Sequence, residues 1–206
     1  MQCNYLKYKL IIFNLDGTVL QTLSDIVASV NYSLRLNNLP IRSEDEILSF
    51  IGHGSKYLIT KSIGKDISEE LFNKIFKDYK DYYKNHVYDF TKPYEGMFEV
   101  IKEFKDRGGL ITLMSNKPND LAQPLIAKFY PHLFDMVLGQ ADNIPVKPDI
   151  TQTKNILDYF KILPKEAVFV GDSLVDYQTA SNASIDCVLC NYGYENDKKP
   201  YTNVRL

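Results

Sequence analysis

Chemically capable side chains stand beside the short apolar runs of this 206-residue chain. Carboxylates, lysines and hydroxyl residues follow three of these runs, and a further lysine precedes a helical pattern: Asn14, Asp16, Gly17 and Thr18; Ser115, Asn116 and Lys117; Lys147; Asp172, Ser173 and Asp176. In an open parallel sheet, ligands bind beyond the carboxyl ends of the strands, so we expect these side chains in one crevice. Converging carboxylates repel each other, and a hard divalent cation relieves that repulsion, with Mg²⁺ the natural choice beside a phosphate. The sequence therefore predicts a crevice for Mg²⁺ and a phosphoryl group.

The elements that must position these residues follow from the spacing of apolar residues. Short apolar runs followed by Gly, Asn, Ser or Asp predict buried strands at 10–13, 110–114, 136–138, 167–170 and, more weakly, 185–189. Helical spacing lies between them, at 97–107, 121–129 and 150–160. Strand and helix in alternation predict an α/β fold, a three-layer, Rossmann-like parallel sheet covered by helices on both faces.

One long stretch interrupts this alternation, because it contains helix signals and no convincing strand. Two capping-box sequences, from Thr22 to Asp25 and from Ser43 to Glu46, predict helix starts. The longest helical pattern carries an aromatic and apolar stripe, formed by Leu71, Phe72, Ile75, Phe76, Tyr79, Tyr82, Tyr83 and Val87. We interpret this stripe as core packing rather than as a cofactor site.

The interruption divides the chain into two predicted units. Residues 1–19 and 93–206 form the α/β core domain, and residues 20–92 form an inserted, all-helical cap domain. We expect the cap to close over the crevice and to exclude water during the reaction.

Composition and charge narrow the class of protein. With 24 Lys+Arg against 26 Asp+Glu and no basic cluster, the chain lacks the charge pattern of a nucleic-acid-binding protein. No apolar run approaches the roughly 20 residues that cross a bilayer, and no signal-peptide cleavage site follows the N-terminal run, so we expect a cytoplasmic protein without a membrane partner. Cys3, Cys187 and Cys190 are too few for a disulfide framework. Because Cys187 and Cys190 would face opposite sides of a strand, we assign them to packing.

Four motifs, in order along the chain, resemble those of the haloacid dehalogenase superfamily of phosphohydrolases. They are Phe13-Asn14-Leu15-Asp16-Gly17-Thr18, Met114-Ser115-Asn116-Lys117-Pro118, Val146-Lys147-Pro148-Asp149 and Gly171-Asp172-Ser173-Leu174-Val175-Asp176. The helical insertion after the first motif, with Gly52-His53-Gly54 inside it, resembles the phosphoglycolate phosphatase-like branch. The match spans nearly the whole chain, and four motifs in order are far more specific than any one alone.

The resemblance implies a catalytic role for four positions. Position 14 would carry the nucleophile, an aspartate that attacks phosphorus and forms an aspartyl-phosphate. Asp16 would protonate the leaving oxygen and then activate water for the second step. Ser115 and Lys147 would hold the phosphoryl oxygens, and the lysine would also neutralise part of the acidic cluster.

The resemblance also implies a metal site and contacts to the substrate. Asp172 would bind Mg²⁺ together with position 14 and the backbone carbonyl of Asp16, and Asp176 would support the ion directly or through water. Substrate contacts are expected at Gly17, Thr18, Asn116, Lys117 and His53. A surface-loop role stays open for the last three of these, with Asn116 favoured over Lys117 as the one that faces the ligand. The expected partner is a small-molecule phosphate ester bound by a monomer or weak homodimer.

Asn14 is the one serious departure from the motifs. An amide is neutral, lacks an anionic nucleophile and is a weaker Mg²⁺ ligand than a carboxylate, so this chain should barely turn over. We favour an inactivated form of a Mg²⁺-dependent phosphatase, because the other catalytic positions are intact. A phosphate-ligand binding or regulatory protein stays open, as does a phosphomutase of the same family. A metal-free dehalogenase is less favoured because Asp172 and Asp176 argue for a cation.

Overall fold

The computed structural model describes residues 6–194. Its strands are β1 (Leu10–Phe13), β2 (Leu20–Gln21), β3 (Lys92–Pro93), β4 (Leu110–Pro118), β5 (Met136–Gln140), β6 (Ala167–Gly171) and β7 (Asp186–Leu189). Its helices are α1 (Leu23–Leu36), α2 (Glu44–Leu48), α3 (Ser55–Ile63), α4 (Glu69–His86), α5 (Met97–Asp106), α6 (Asn119–Phe129), α7 (Thr151–Phe160) and α8 (Leu174–Asn182). Cys3 lies outside the described residues, as do the outer ends of the predicted core domain.

Five parallel strands form the central sheet, in the order β5-β4-β1-β6-β7. All five predicted strands are present, so the predicted α/β class is confirmed. The central strand β1 pairs with β4 and β6, which brings the carboxyl ends of these three strands to one edge. β4 is longer than the predicted 110–114, and its register against β5 shifts between Met114 and Pro118. Ser115, Asn116 and Lys117 therefore lie inside a strand rather than in the loop expected after it.

Apolar side chains cover both faces of the sheet, because successive strand residues point to opposite sides. On β1, Phe13 belongs to the large cluster that continues into the inserted helices, whereas Leu10 and Ile12 belong to a second cluster with residues of α7 and β6. Cys187 is buried in this second cluster, as its assignment to packing predicts, and Cys190 is half-buried just after β7.

The insertion between β2 and β3 contains only helices, α1 to α4. Ile75, Tyr79 and Tyr83 of α4 are buried in the large cluster, so this part of the predicted aromatic stripe is core packing. No apolar run predicts the two-residue strands at either end of the insertion. β2 and β3 pair antiparallel, so the chain enters and leaves the insertion at neighbouring points.

One of the two predicted capping boxes is wrong. Ser43 and Glu46 form a full capping box at the start of α2. Thr22 does not cap α1 with its side chain, because its hydroxyl donates to Asp16. The Asp25 carboxylate instead accepts hydrogen bonds from the backbone of Phe90 and from Thr91. Within residues 6–194, no helix is both long and apolar enough to cross a membrane.

Candidate active site

Asn14 lies where the chain leaves β1, and its amide contacts Asp16, the carboxylates that follow β6 and the lysine of the third motif. Its Nδ2 lies 3.0 Å from the carbonyl oxygen of Asp16, 3.2 Å from Asp172 Oδ1 and 3.4 Å from Asp176 Oδ2. Its Oδ1 accepts a hydrogen bond from Lys147 Nζ at 2.9 Å. The side chain is therefore fixed by donors and acceptors on both of its polar atoms.

The carboxylates after β6 are buried and held in different ways. Asp176 accepts from Lys147 Nζ at 2.6 Å and from the backbone N–H of Asp172, and it forms a capping box with Ser173 at the start of α8. Asp172 accepts from Thr18 Oγ1 at 2.8 Å. Burial and the neighbouring carboxylate of Asp176 raise the pKa of Asp172 to about 6. Lys147 thus compensates the negative charge of Asp176, whereas the negative charge of Asp172 is compensated less.

Asp16 sits at the junction of the sheet and the inserted helices. Its Oδ1 accepts from Lys117 Nζ at 2.9 Å and from the Thr22 hydroxyl at 2.5 Å. Lys117 Nζ also donates to the hydroxyl of Tyr83 at 2.5 Å. The open alternative of a surface-loop lysine is therefore wrong: Lys117 is 5% exposed and bridges Asp16 to helix α4. Burial raises the pKa of Tyr83 well above its ordinary value, so its hydroxyl stays protonated.

Asn116 connects three segments of the chain. Its Nδ2 donates to the carbonyl oxygens of Gly52 at 2.8 Å and Lys147 at 3.1 Å, while its Oδ1 accepts from the N–H of Lys147 at 2.8 Å. Its side-chain amide is thus committed to holding Lys147 in place and to docking the insertion. Ser115 lies beside it, and the only hydrogen bond its Oγ makes within residues 6–194 is accepted from the N–H of Lys117 at 3.1 Å.

A cavity of about 380 Å³ lies over these groups, between the end of the sheet and the inserted helices. Eight of the predicted site residues line it: Asn14, Asp16, His53, Ser115, Asn116, Lys117, Lys147 and Asp172. Gly17, Thr18 and Asp176 do not line it. Thr18 and Asp176 act on neighbouring side chains instead, and Gly17, at φ +76°, packs so closely on Asp172 that a Cβ would collide with that carboxylate.

Much of the cavity wall comes from residues that the sequence reasoning did not select. The insertion supplies a mostly apolar surface with a few polar groups: Ile26, Asp45, Leu48, Ser49, Ile51, Ser55, Leu58 and Tyr79. Tyr194 also lines the cavity, and its backbone N–H donates to Asp172. Apolar spacing could not have found the residues of the insertion, since a helix residue that lines a cavity has the same pattern as one in the core, whereas the position of Tyr194 after the last strand does indicate the crevice end of the sheet.

The residues present do not fit Mg²⁺ as they stand. Two expected ligands, the Asp16 carbonyl and the Asp172 carboxylate, converge on one point, but the Asn14 NH₂ group occupies that point as a donor to both. The amide oxygen of Asn14 faces Lys147 instead. Across residues 6–194, no group of three His, Cys, Asp or Glu side chains is placed to hold a metal ion. The amide thus satisfies the oxygens that a cation would otherwise hold together.

The fold and the site define an α/β protein of the Rossmann-like class with a helical insertion above the carboxyl ends of its strands. The model of the haloacid dehalogenase-like hydrolase family matches residues 11–190, and the chain belongs to that family. It is 31% identical over 196 residues to the phosphoglycolate phosphatase of Haemophilus influenzae (strain 86-028NP), covering 91% of this chain and 88% of that protein. The phosphoglycolate phosphatase of Pasteurella multocida (strain Pm70) is similar to the same degree, with 31% identity and the same coverage.

A solved structure shows the same fold. A predicted phosphoglycolate phosphatase from Haemophilus somnus 129pt superposes with a TM-score of 0.88 at 30% identity, covering 95% of this chain and 90% of that one. The match covers both the sheet and the insertion. The family assignment made from the four motifs is therefore confirmed.

Proposed function

We propose that this chain is a phosphatase of small-molecule phosphate monoesters, of the phosphoglycolate type, in which Asn14 leaves turnover near background. The observation that carries this proposal is the convergence of Asp16, Ser115, Lys147 and Asp172 on one cavity around Asn14. Relatives that carry the name phosphoglycolate phosphatase match over most of their length, which supports the substrate class.

Each residue takes a role that its contacts support. Ser115 Oγ and the ammonium group of Lys147 hold the phosphoryl oxygens, and Lys147 is kept in place by Asn116. Asp16 delivers a proton to the leaving oxygen, with its carboxylate positioned by Lys117 and Thr22. The amide of Asn14 offers no anionic oxygen for attack on phosphorus, so the reaction stops at binding.

We further propose that residues 20–92 act as the cap and residues 1–19 and 93–206 as the core. Three contacts join the two parts and support a cap seated over the core: Asn116 with Gly52, Lys117 with Tyr83, and Leu20 with Pro93. With the cap in place, solvent is kept from the phosphoryl group during transfer.

The test restores the missing nucleophile. Asn14→Asp should raise Mg²⁺-dependent hydrolysis of an aryl phosphate and of 2-phosphoglycolate by a thousandfold or more, since removing a nucleophile costs up to ~10⁶ in kcat in a well-studied hydrolase. Asn14→Ala, which has neither amide nor carboxylate, is the matched control and should stay at background. An Asn14→Asp variant with no more activity than this control would overturn the proposal.

A second function, phosphate-ligand binding without turnover, is favoured by one observation. Both polar atoms of the Asn14 side chain have hydrogen-bond partners, Lys147 for Oδ1 and the oxygens of Asp16 and Asp172 for Nδ2. The amide is therefore well accommodated at this position, which is consistent with a site that binds a ligand without reacting with it. Under this second function the chain binds phosphate esters, and the aspartate variant gains no activity. The same experiment therefore separates the two.

A further inference from the structure

The segment Tyr192-Gly193-Tyr194 follows β7 and packs against the candidate active site. Gly193 lies so close to Asp172 that a Cβ built on it would come within 2.2 Å of the Asp172 Cβ. The hydroxyl of Tyr192 donates to the carbonyl oxygen of Thr18 at 3.1 Å. Tyr194 lines the cavity. The segment is therefore held against the groups that follow β1 and β6, although none of the roles proposed above uses its side chains.

The hydroxyl of Tyr194 is bound to Thr22, at the start of the insertion. It accepts a hydrogen bond from the backbone N–H of Thr22 at 2.7 Å and lies 3.0 Å from the Thr22 hydroxyl. The Thr22 hydroxyl in turn donates to Asp16 Oδ1 at 2.5 Å. A hydroxyl has one proton to donate, and Thr22 uses its proton on Asp16, so the Tyr194 hydroxyl is the donor to Thr22. Two hydrogen bonds thus run in one direction, from Tyr194 through Thr22 to Asp16.

The contacts of the Asp16 carboxylate fall on one of its two oxygens. Oδ1 accepts from Thr22 and also from Lys117 Nζ at 2.9 Å, whereas Oδ2 has no hydrogen-bond partner among residues 6–194. The torsion that turns an aspartate carboxylate has only a broad preference of its own, so the contacts on Oδ1 decide where Oδ2 points. Hydrogen bonds in a chain strengthen one another, so a hydroxyl that donates to Thr22 also tightens the contact of Thr22 with Asp16.

We propose that Tyr194 is a positioning residue for the general acid of the reaction. Its hydroxyl acts through Thr22 to hold Asp16 Oδ1, which leaves Oδ2 as the oxygen that faces the leaving group. This assignment rests on the proposed function, because it takes Asp16 as the acid. With an aspartate at position 14, the proton on Asp16 Oδ2 passes to the ester oxygen as the bond between that oxygen and phosphorus breaks.

The leaving group of the ester provides a readout that is specific to this role. 4-Nitrophenolate departs readily without a proton, whereas the alkoxide of 2-phosphoglycolate needs one from the acid. A defect in the position of Asp16 should therefore slow the alkyl ester and spare the nitrophenyl ester. The measured quantity is kcat/KM, because it reports the loss of stabilisation in the transition state relative to free enzyme and substrate.

The experiment compares two tyrosines of the same segment in the Asn14→Asp chain. Tyr194→Phe removes the hydroxyl and keeps both the ring and the backbone N–H that donates to Asp172. It should lower kcat/KM for 2-phosphoglycolate about tenfold, a part of the 10²–10⁴-fold that a general acid supplies, and change that for 4-nitrophenyl phosphate by less than about twofold. Tyr192→Phe is the matched control, because its hydroxyl contacts the carbonyl of Thr18 rather than the Thr22 hydroxyl. It should leave the ratio of the two kcat/KM values unchanged.

A second variant tests the path from Tyr194 to Asp16. Thr22→Val removes the hydroxyl between them and should also slow 2-phosphoglycolate selectively. Because Tyr194 acts through Thr22, Tyr194→Phe should cause no further loss when it is added to Thr22→Val. Calorimetry with inorganic phosphate on the chain as it stands, with Asn14, should give the same Kd with and without Tyr194→Phe, and melting temperatures report whether each variant keeps the fold.

The outcomes separate the positioning role from the proposed function. If Asn14→Asp is active but Tyr194→Phe slows both esters equally, or slows neither, the positioning role is wrong and the proposed function stands. The same holds if Tyr192→Phe shows the same selectivity, if the losses of Tyr194→Phe and Thr22→Val add, or if Tyr194→Phe weakens phosphate binding. If Asn14→Asp is no more active than Asn14→Ala, the proposed function is wrong and the positioning role falls with it.

Discussion

Asn14→Asp should make the fold itself depend on a divalent cation. In this chain, Asn14 Nδ2 donates towards three oxygens at 3.0 to 3.4 Å, those of Asp16, Asp172 and Asp176. An aspartate puts a fourth oxygen at that point and adds a negative charge. Leaving a buried charge uncompensated costs about 3–5 kcal/mol, and we expect about 3 because Lys147 would contact the new carboxylate.

Thermal unfolding measures this cost directly. For a chain of this size, about 3 kcal/mol lowers Tm by about 6–12 °C, so in EDTA the variant should melt well below the parent chain. Mg²⁺ at a hundred times its Kd should return about 2.7 kcal/mol to the variant. The parent, whose amide already satisfies these oxygens, should show no such gain.

A matched control separates the site from general charge effects. Asn85→Asp adds the same charge on an exposed part of α4 and should respond to Mg²⁺ no more than the parent does. Equal stability of Asn14→Asp and the parent chain in EDTA would refute the predicted cost of the buried charge. An equal rise in the Tm of both chains on addition of Mg²⁺ would refute the predicted cation site.

Three further outcomes follow from the buried charges. Lys117→Met should lower the free energy of unfolding by about 3–5 kcal/mol in urea titrations, because it leaves the buried Asp16 carboxylate without its positive partner. The control Lys77→Met breaks an exposed ion pair and should cost under about 1 kcal/mol. Asp25→Ala should cost about 3 kcal/mol or more, since it strands buried donors of the 90–91 backbone; a loss below 1 kcal/mol would contradict the buried network. The pKa of Asp172 is raised to about 6 in the folded state, so the folded state holds this proton more tightly than the unfolded state does. The free energy of unfolding in EDTA should therefore fall by up to about 3 kcal/mol as the pH rises from 4 to 6. Asp172→Asn should remove this pH dependence, and an unchanged slope in that variant would assign it to another group.

The sheet was predictable because its strands are short runs of apolar residues with polar residues after them. The end of β4 was not, because Ser115, Asn116 and Lys117 have loop-like composition, while strand pairing there depends on backbone groups of β5. Local signals also failed where a distant partner competes. Asp25 has the spacing of a capping box, but its carboxylate accepts hydrogen bonds from the backbone N–H groups of residues 90–91 instead.

The site was predictable as a set of residues and less so as a set of contacts. The four motifs gave most of the polar residues around the cavity, since three of them lie at the end of a strand and the third lies just before α7. The pairing of Lys117 with Asp16 joins residues far apart in the chain, and no local pattern encodes it. The wall from the insertion was missed for a similar reason, because whether Ser55 or Leu58 faces a cavity depends on how α3 sits on the sheet.

The small ribbon of β2 and β3 bears on how such a protein can change over evolution. Leu20 pairs with Pro93 and Gln21 with Lys92, so the chain leaves the sheet domain and returns to it through neighbouring points. A change in the stretch between these two pairs leaves both ends of the insertion in place, provided that it still covers the large apolar cluster shared with the sheet. New leaving-group preferences can therefore arise by remodelling one contiguous stretch of gene, while the machinery around Lys147 is inherited unchanged.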